Sequence, residues 1–182
     1  MKRWIVLPLK DQKPIEERLD IVDYLVSHPE ISYEIGQRLK EIGDLERFIS
    51  KVAVVIDCTD NFVTRHLINR ISLKHEKTLV SGAAIGFDAQ ISVFDFRQAS
   101  SPCYACVFPP DPHFVETSCA SMGVFSPLVG IIGSLQAAQA LQILIGFGEP
   151  LLGRLLIWNA RNSQIDEIKI QRNLDCPVCG AR

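Results

Sequence analysis

The chain has 182 residues, 47% of them hydrophobic and 22% charged, with a formal net charge of -2 at pH 7 and a sequence pI near 6.1. That length supports one domain with a substantial core, so residues 1–182 are read as a single unit. No basic face or run of like charge is present, which excludes polyanion binding or attachment to an anionic membrane surface as the main task.

The opening Met1-Lys2-Arg3-Trp4-Ile5-Val6-Leu7-Pro8 runs into Lys10, Asp11 and Lys13, so its apolar stretch is too short for a signal-peptide core; residues 3 to 8 read instead as a short strand. From Pro14 to about Val26, Ile15, Leu19, Val22 and Val26 recur at helical spacing, and His28-Pro29 ends the pattern. Ile31 to Ile35 alternates like a strand. Leu39, Ile42, Leu45 and Ile49 mark a second amphipathic helix, interrupted by Gly43. Val52-Ala53-Val54-Val55-Ile56 is a continuous apolar run, rich in β-branched residues, of the kind found in a strand buried on both faces of a parallel sheet. Asp57-Cys58-Thr59-Asp60-Asn61 follows, and then a helix lined by Val63, Leu67 and Ile71. Thr78 to Ala83 reads as another buried strand, Gln90 to Phe94 as a more exposed one, and Arg154 to Trp158 and Ile165 to Ile170 as two more. Strands alternating with helices imply an α/β fold: an open, Rossmann-like sheet with right-handed crossovers and helices on its faces.

The longest apolar stretch, Pro127 to Phe147, approaches a membrane span in length. Gln136, Gln139 and Gln142 nevertheless mark a polar stripe along it, which favours a core or subunit-interface helix.

Four of the six cysteines form two Cys-x-x-Cys knuckles, Cys103/Cys106 and Cys176/Cys179, separated by 69 residues. Together they supply four thiolates to one tetrahedral ion, which suits structural zinc; a pair of disulfides or a redox dithiol is the alternative. With no secretory signal, the expected setting is reducing and cytoplasmic.

In open parallel sheets ligands gather beyond the carboxyl ends of the strands, where Asp57 and Asp60 stand, so both are candidates for magnesium and the phosphates that accompany it. The competing role for Asp60 is to cap the following helix. Arg65 is placed to meet a phosphate or to pair with a carboxylate. Cys119 lies in a polar segment after the proline-rich residues 109 to 112; a nucleophilic thiol there needs a base, and His113 is the nearby imidazole. Cys58 is assigned to core packing.

A series of motifs in collinear order, from about residue 45 to 180, resembles the MoeB/ThiF/HesA group of bacterial relatives of ubiquitin-activating enzymes. It comprises Val55-Ile56-Asp57-Cys58-Thr59-Asp60-Asn61-Phe62 with Arg65, Ser81-Gly82-Ala83-Ala84, Cys103-Tyr104-Ala105-Cys106, Gly130-Ile131-Ile132-Gly133-Ser134-Leu135-Gln136-Ala137 and Cys176-Pro177-Val178-Cys179-Gly180. The resemblance implies a homodimeric enzyme that uses Mg-ATP to adenylate the C-terminal Gly-Gly carboxylate of a small ubiquitin-like sulfur carrier of the MoaD or ThiS kind. It further implies Asp60 as the magnesium and phosphate carboxylate, Asn61 and Arg65 as supports of the same ATP site, structural zinc on the four knuckle cysteines, and Cys119 as the counterpart of a cysteine that accepts a sulfur or acyl adduct. Members of the group begin with a strand and a Gly-x-Gly-Gly-x-Gly loop that cradles ATP through backbone N–H groups. That loop is absent from this chain, and only some 50 residues precede the Asp57 motif. The expected domain is therefore of ThiF type and N-terminally incomplete. Two functions follow: an adenylyltransferase whose nucleotide-binding half is reduced or supplied by a partner, or an inactive zinc-bound scaffold that keeps only the carrier-docking and dimerisation surfaces.

Overall fold

A computed structural model of the chain describes residues 5–8, 42–111 and 122–181. The expected helix from Pro14 to Val26, the strand from Ile31 to Ile35, Lys13, Leu39, His113 and Cys119 lie outside these residues. In chain order the elements are β1 Ile5–Pro8, α1 Ile42–Ile49, β2 Val52–Asp57, α2 Phe62–Lys74, β3 Thr78–Ile85, β4 Asp88–Asp95, α3 Tyr104–Val107, α4 Ser126–Ile145, β5 Arg154–Asn159 and β6 Gln164–Lys169. The strands form one sheet in the order β1-β2-β3-β4-β5-β6.

Among the described residues only β2 and β3 are parallel, joined through α2 as a crossover requires; every other neighbouring pair is antiparallel. The sheet is thus mixed, and the reason is local. Gly86 and Phe87 alone connect Ile85 to Asp88, and two residues can close only a hairpin; Gly86, at φ 56°, supplies the left-handed backbone of that turn. β1 pairs antiparallel with the outer edge of β2, Ile5 opposite Ile56 and Pro8 opposite Val52. An edge position suits a proline, which has no N–H for a ladder.

Side-chain alternation divides the core into two layers. On one face Val55, Leu79 and Phe94 pack with Leu45 and Ile49 of α1, Ile68 and Ile71 of α2, and Cys103 and Tyr104. On the other, Val54, Ile56, Val80, Ile91 and Val93 pack against Ala140 of α4 and Leu151. Helices therefore cover both faces. β4 is buried, not the more exposed strand its alternation suggested, with Ile91, Val93 and Phe94 wholly inaccessible, because α4 lies over one face and the α2 side over the other.

α4 is long and apolar enough to cross a membrane by length and composition, yet it packs on the sheet. Its glutamines are arranged contrary to a solvent-facing stripe. Gln136 and Gln139 are buried against the sheet side, while Val129, Gly130, Gly133, Ser134 and Ala137 face outward. The inward amides serve backbone groups at the sheet: Gln139 Oε1 accepts from the Leu151 N–H at 2.7 Å, and Gln136 Nε2 donates to the Asp57 carbonyl at 2.8 Å.

Ile68 is wholly buried in the α2-side layer. Ile68→Ala is expected to lower unfolding free energy by about 2–5 kcal/mol, measured by urea denaturation at fixed metal loading.

Candidate functional site

Because β2 and β3 run parallel, the turn Asp57–Asn61 stands at the carboxyl end of the pair, where open sheets collect ligands. Its frame is held by one buried ion pair. Asp57 Oδ1 accepts from the Thr59 N–H at 2.9 Å and the Thr59 hydroxyl at 2.7 Å, and Oδ2 faces Arg65 Nη1 at 3.5 Å. The Arg65 guanidinium also donates to Ser81 Oγ at 3.2 Å, to the Gly82 carbonyl at 2.9 Å and to the Thr59 carbonyl. Of the two roles open to Arg65, the structure displays pairing with a carboxylate.

Asp60 is exposed on the rim, its Oδ1 accepting from Asn61 Nδ2 at 3.3 Å. The helix cap falls to Asn61, whose extended backbone precedes Phe62 and whose Oδ1 accepts from the Thr64 N–H at 2.8 Å. Asp60 thus remains available at the surface. Cys58 is exposed, not core packing, because the inward alternation of β2 ends at Asp57 and the next residue opens the turn. Its thiol donates to Gln136 Oε1 at 3.2 Å in a partly enclosed spot; that desolvation, with the Asp57 charge adding to it, pushes the thiol pKa up. The sequence reading missed Gln136 as part of this site. The available signal was an amide inside an uncharged helix, which must find partners if it faces inward.

A second cluster lies beyond Tyr104. Cys103, Cys106, Cys176 and Cys179 place their sulfurs all within 4.8 Å of one another, with contacts of 3.7 Å for Cys103–Cys176, 3.8 Å for Cys103–Cys106 and 3.4 Å for Cys106–Cys179. A metal–sulfur bond of about 2.3 Å gives a tetrahedral edge of about 3.8 Å, so the four atoms suit one tetrahedral ion. All four cysteines are free in the structure, none of these sulfur pairs standing at bonding distance. Burial pushes the Cys103 thiol up strongly and the Cys179 thiol up to about 11, with neighbouring Cys106 adding in both cases. For Cys176 burial acts upward too, but backbone N–H donors from Val178 and Cys179 bring it below its ordinary value. A bound cation reverses the cost of ionising these thiols, so loading releases protons and strengthens as pH rises.

Two polar side chains position the knuckles. Asn69, wholly buried on α2, accepts from the Tyr104 N–H at 2.9 Å. Arg172 donates to the Ala99 carbonyl at 2.9 Å and to the Cys179 carbonyl at 2.6 Å, tying the second knuckle to the approach of the first. A cavity of about 10 Å³, room for about one water, is lined by Arg65, Ser81, Gln90, Ser92, Tyr104 and Phe108 among others.

The sequence contains a single Gly-x-Gly, Gly146-Phe147-Gly148, and it follows a helix rather than preceding one. Gly146, at φ 75°, closes α4 by donating its N–H to the Gln142 carbonyl. Helix carboxyl ends present carbonyls and negative potential, the wrong polarity for a phosphate.

A family model described as the ThiF family matches residues 24–178. A sulfur carrier protein adenylyltransferase of Thermus thermophilus is 44% identical over 131 residues, covering 70% of this chain and 48% of that protein. A molybdopterin-synthase adenylyltransferase of Escherichia coli is 38% identical over 155 residues, covering 84% and 61%. The chain thus spans about half to three-fifths of the length of these curated relatives. Among solved structures, E. coli MccB with MccA-N7isoASN superposes with a TM-score of 0.65 at 16% identity, over 80% of this chain and 45% of that one, a likeness of fold.

Cys176→Ser is expected to release bound metal and loosen the C-terminal segment, as measured by elemental analysis and proteolysis. Full metal content in the variant is incompatible with a four-sulfur site.

Proposed function

For a chain that belongs to the ThiF family, we propose ATP-dependent adenylylation of the C-terminal carboxylate of a ubiquitin-like sulfur carrier, of the kind used in molybdopterin or thiamine synthesis. The names of the relatives, sulfur carrier protein adenylyltransferase and molybdopterin-synthase adenylyltransferase, support that substrate class. The observation that carries the reading is the placement of Asp60 and Asn61 at the exposed rim of a rigid turn, at the carboxyl end of the parallel pair. In the proposed reaction a carrier carboxylate oxygen bonds to the α-phosphorus of ATP as the bond to the pyrophosphate oxygen breaks. Asp60 is the carboxylate offered to magnesium, which when bound neutralises charge developing on the phosphates. Asn61 steadies Asp60, and Arg65 holds the frame of the turn and supplies positive charge beneath it. Zinc is the ion proposed for the four sulfurs, as a structural staple, and Cys119 is the proposed acceptor of a sulfur or acyl adduct. Reduced thiols at both clusters agree with a cytoplasmic setting.

The second reading, a zinc-bound scaffold that docks the carrier without chemistry, is favoured by the direction of β1. It runs antiparallel to β2, so its carboxyl end lies beside Val52 and its start beside Ile56, next to the Asp57 turn. Calorimetric titration with Mg-ATP separates the two, since saturable binding supports catalysis and its absence with retained carrier binding supports the scaffold. Asp60→Asn is expected to cut pyrophosphate exchange by about 100-fold or more while leaving metal content intact; unchanged exchange would falsify the assignment of Asp60.

The proposed homodimer has a surface in the outward side of α4, which carries no charged residue. Its strip is about 30 Å by 10 Å. Val129 is 48% exposed, Phe125 42% and Phe147 52%, and these side chains extend it towards the roughly 800 Å² that each partner of a standard interface buries. A charge-free, small-residue face is complementary to itself, so the occupant is a second copy. Light scattering on the full chain is expected to give a dimer, and Val129→Asp a monomer that still binds metal; a Val129→Asp protein that stays dimeric places the interface elsewhere.

A further inference from the structure

The elements that meet at the acidic turn belong to opposite layers, and one side chain spans them. Gln136, 3% exposed, projects from α4 to the ends of β2 and β3. Its Nε2 donates to the Asp57 carbonyl at 2.8 Å and approaches the Val80 carbonyl at 3.5 Å, while its Oε1 accepts from Cys58 Sγ at 3.2 Å. β3 makes room for this amide: a Cβ on Gly82 would stand 2.4 Å from Gln136 Cδ, so only glycine lets the amide lie against the strand. The same Gly82 offers its carbonyl to Arg65 from the opposite layer. The turn is thereby gripped on one side by a guanidinium and on the other by a neutral amide.

We propose that Gln136 is a positioning residue for the Asp57–Asn61 turn, a latch from α4 whose amide fixes the Asp57 peptide, holds the Cys58 thiol as a hydrogen-bond donor, and so sets where the Asp60 carboxylate stands. The consequence for function rests on the adenylylation reading above, but the latch itself is readable without it. An amide is the side chain that satisfies both neighbours at once, since it donates to a carbonyl and accepts from a thiol. A carboxyl of equal shape can do the same only while protonated. Ionised, it would face the Asp57 carbonyl with no proton to give, beside the Asp57 carboxylate and with only Arg65, already engaged, as a cation nearby.

The test uses the full, metal-loaded chain and three variants. Gln136→Leu removes both hydrogen bonds, and Cys58 alkylation, followed by peptide mass mapping, is expected to quicken about 3- to 10-fold. Gln136→Glu is expected to keep the latch while its carboxyl is protonated and to lose the donor to the Asp57 carbonyl once ionised, so the ratio of its Cys58 alkylation rate to the native rate at the same pH, which cancels the thiol's own titration, is expected to depart from one as pH rises. The sign follows from burial: the folded state favours the protonated carboxyl, so its pKa is raised and the latch is lost as pH rises through it. Gly82→Ala, which expels the amide sterically, is expected to reproduce Gln136→Leu, and the double variant Gly82→Ala with Gln136→Ala to be no worse than either single change. Where adenylation is measurable, kcat is expected to fall more than KM changes, with partial rescue in Gln136→Glu at low pH. Native alkylation rates at Cys58 in both Gln136→Leu and Gly82→Ala overturn the latch and leave the adenylylation proposal standing. Altered alkylation in a chain that never exchanges pyrophosphate supports the latch and removes the catalytic reading.

Discussion

Burying the Arg65 guanidinium obliges the surrounding chain to answer it. A cation withdrawn from water costs several kcal/mol unless its charge is paired and its N–H groups find acceptors, and here Asp57 faces it as counter-ion while Thr59, Ser81 and Gly82 accept from it. These partners come from β2, the turn after it and β3, so satisfying one side chain fixes the relative position of three segments. The rim residues Asp60 and Asn61 inherit their place from this arrangement. In this sense the acidic turn is rigid underneath and open above, the combination required of a group that must meet a ligand without reorganising.

The sulfur cluster solves a different problem. The segment after β6 has few apolar side chains to bury, with Leu174 75% exposed, and would gain little by packing alone. Four sulfurs placed to hold one ion stand where a core would otherwise be needed, and Asn69 and Arg172 orient the two knuckles towards each other. Cys103 and Tyr104 then become part of the α2-side layer, so the metal site and the hydrophobic core are one continuous body.

Much of this was legible in the residues. The β-branched run at Val52–Ile56 identified β2, and the helical spacing of Val63, Leu67 and Ile71 marked a helix at α2 but not its inner face, which runs through Arg65, Ile68, Ile71 and Ser72 and leaves Val63 77% exposed. The knuckle spacing identified the cluster because four thiols in two pairs have few other uses in a reduced chain. Three features resisted reading for physical reasons. The antiparallel turn between β3 and β4 hides in a two-residue connection, Gly86-Phe87, that reads as the tail of one strand. The orientation of α4 inverts the usual rule that polar residues face water, because its glutamines serve backbone groups at the sheet and only tertiary contact reveals that demand. Arg65 left two roles open, a phosphate contact or a carboxylate partner, because nothing in its sequence neighbourhood shows how many carbonyls converge on it.

The spacing of the two knuckles also governs the order in which the molecule can assemble. With 69 residues between Cys106 and Cys176, an ion held by both knuckles would close a long loop that contains α4, β5 and β6. Closure of such a loop costs conformational entropy that grows slowly with its length, and most of that cost is met once the sheet has formed. Coordination would then act as a clasp on a sheet already formed, and its loss would fall first on the tail after β6 rather than on the strands.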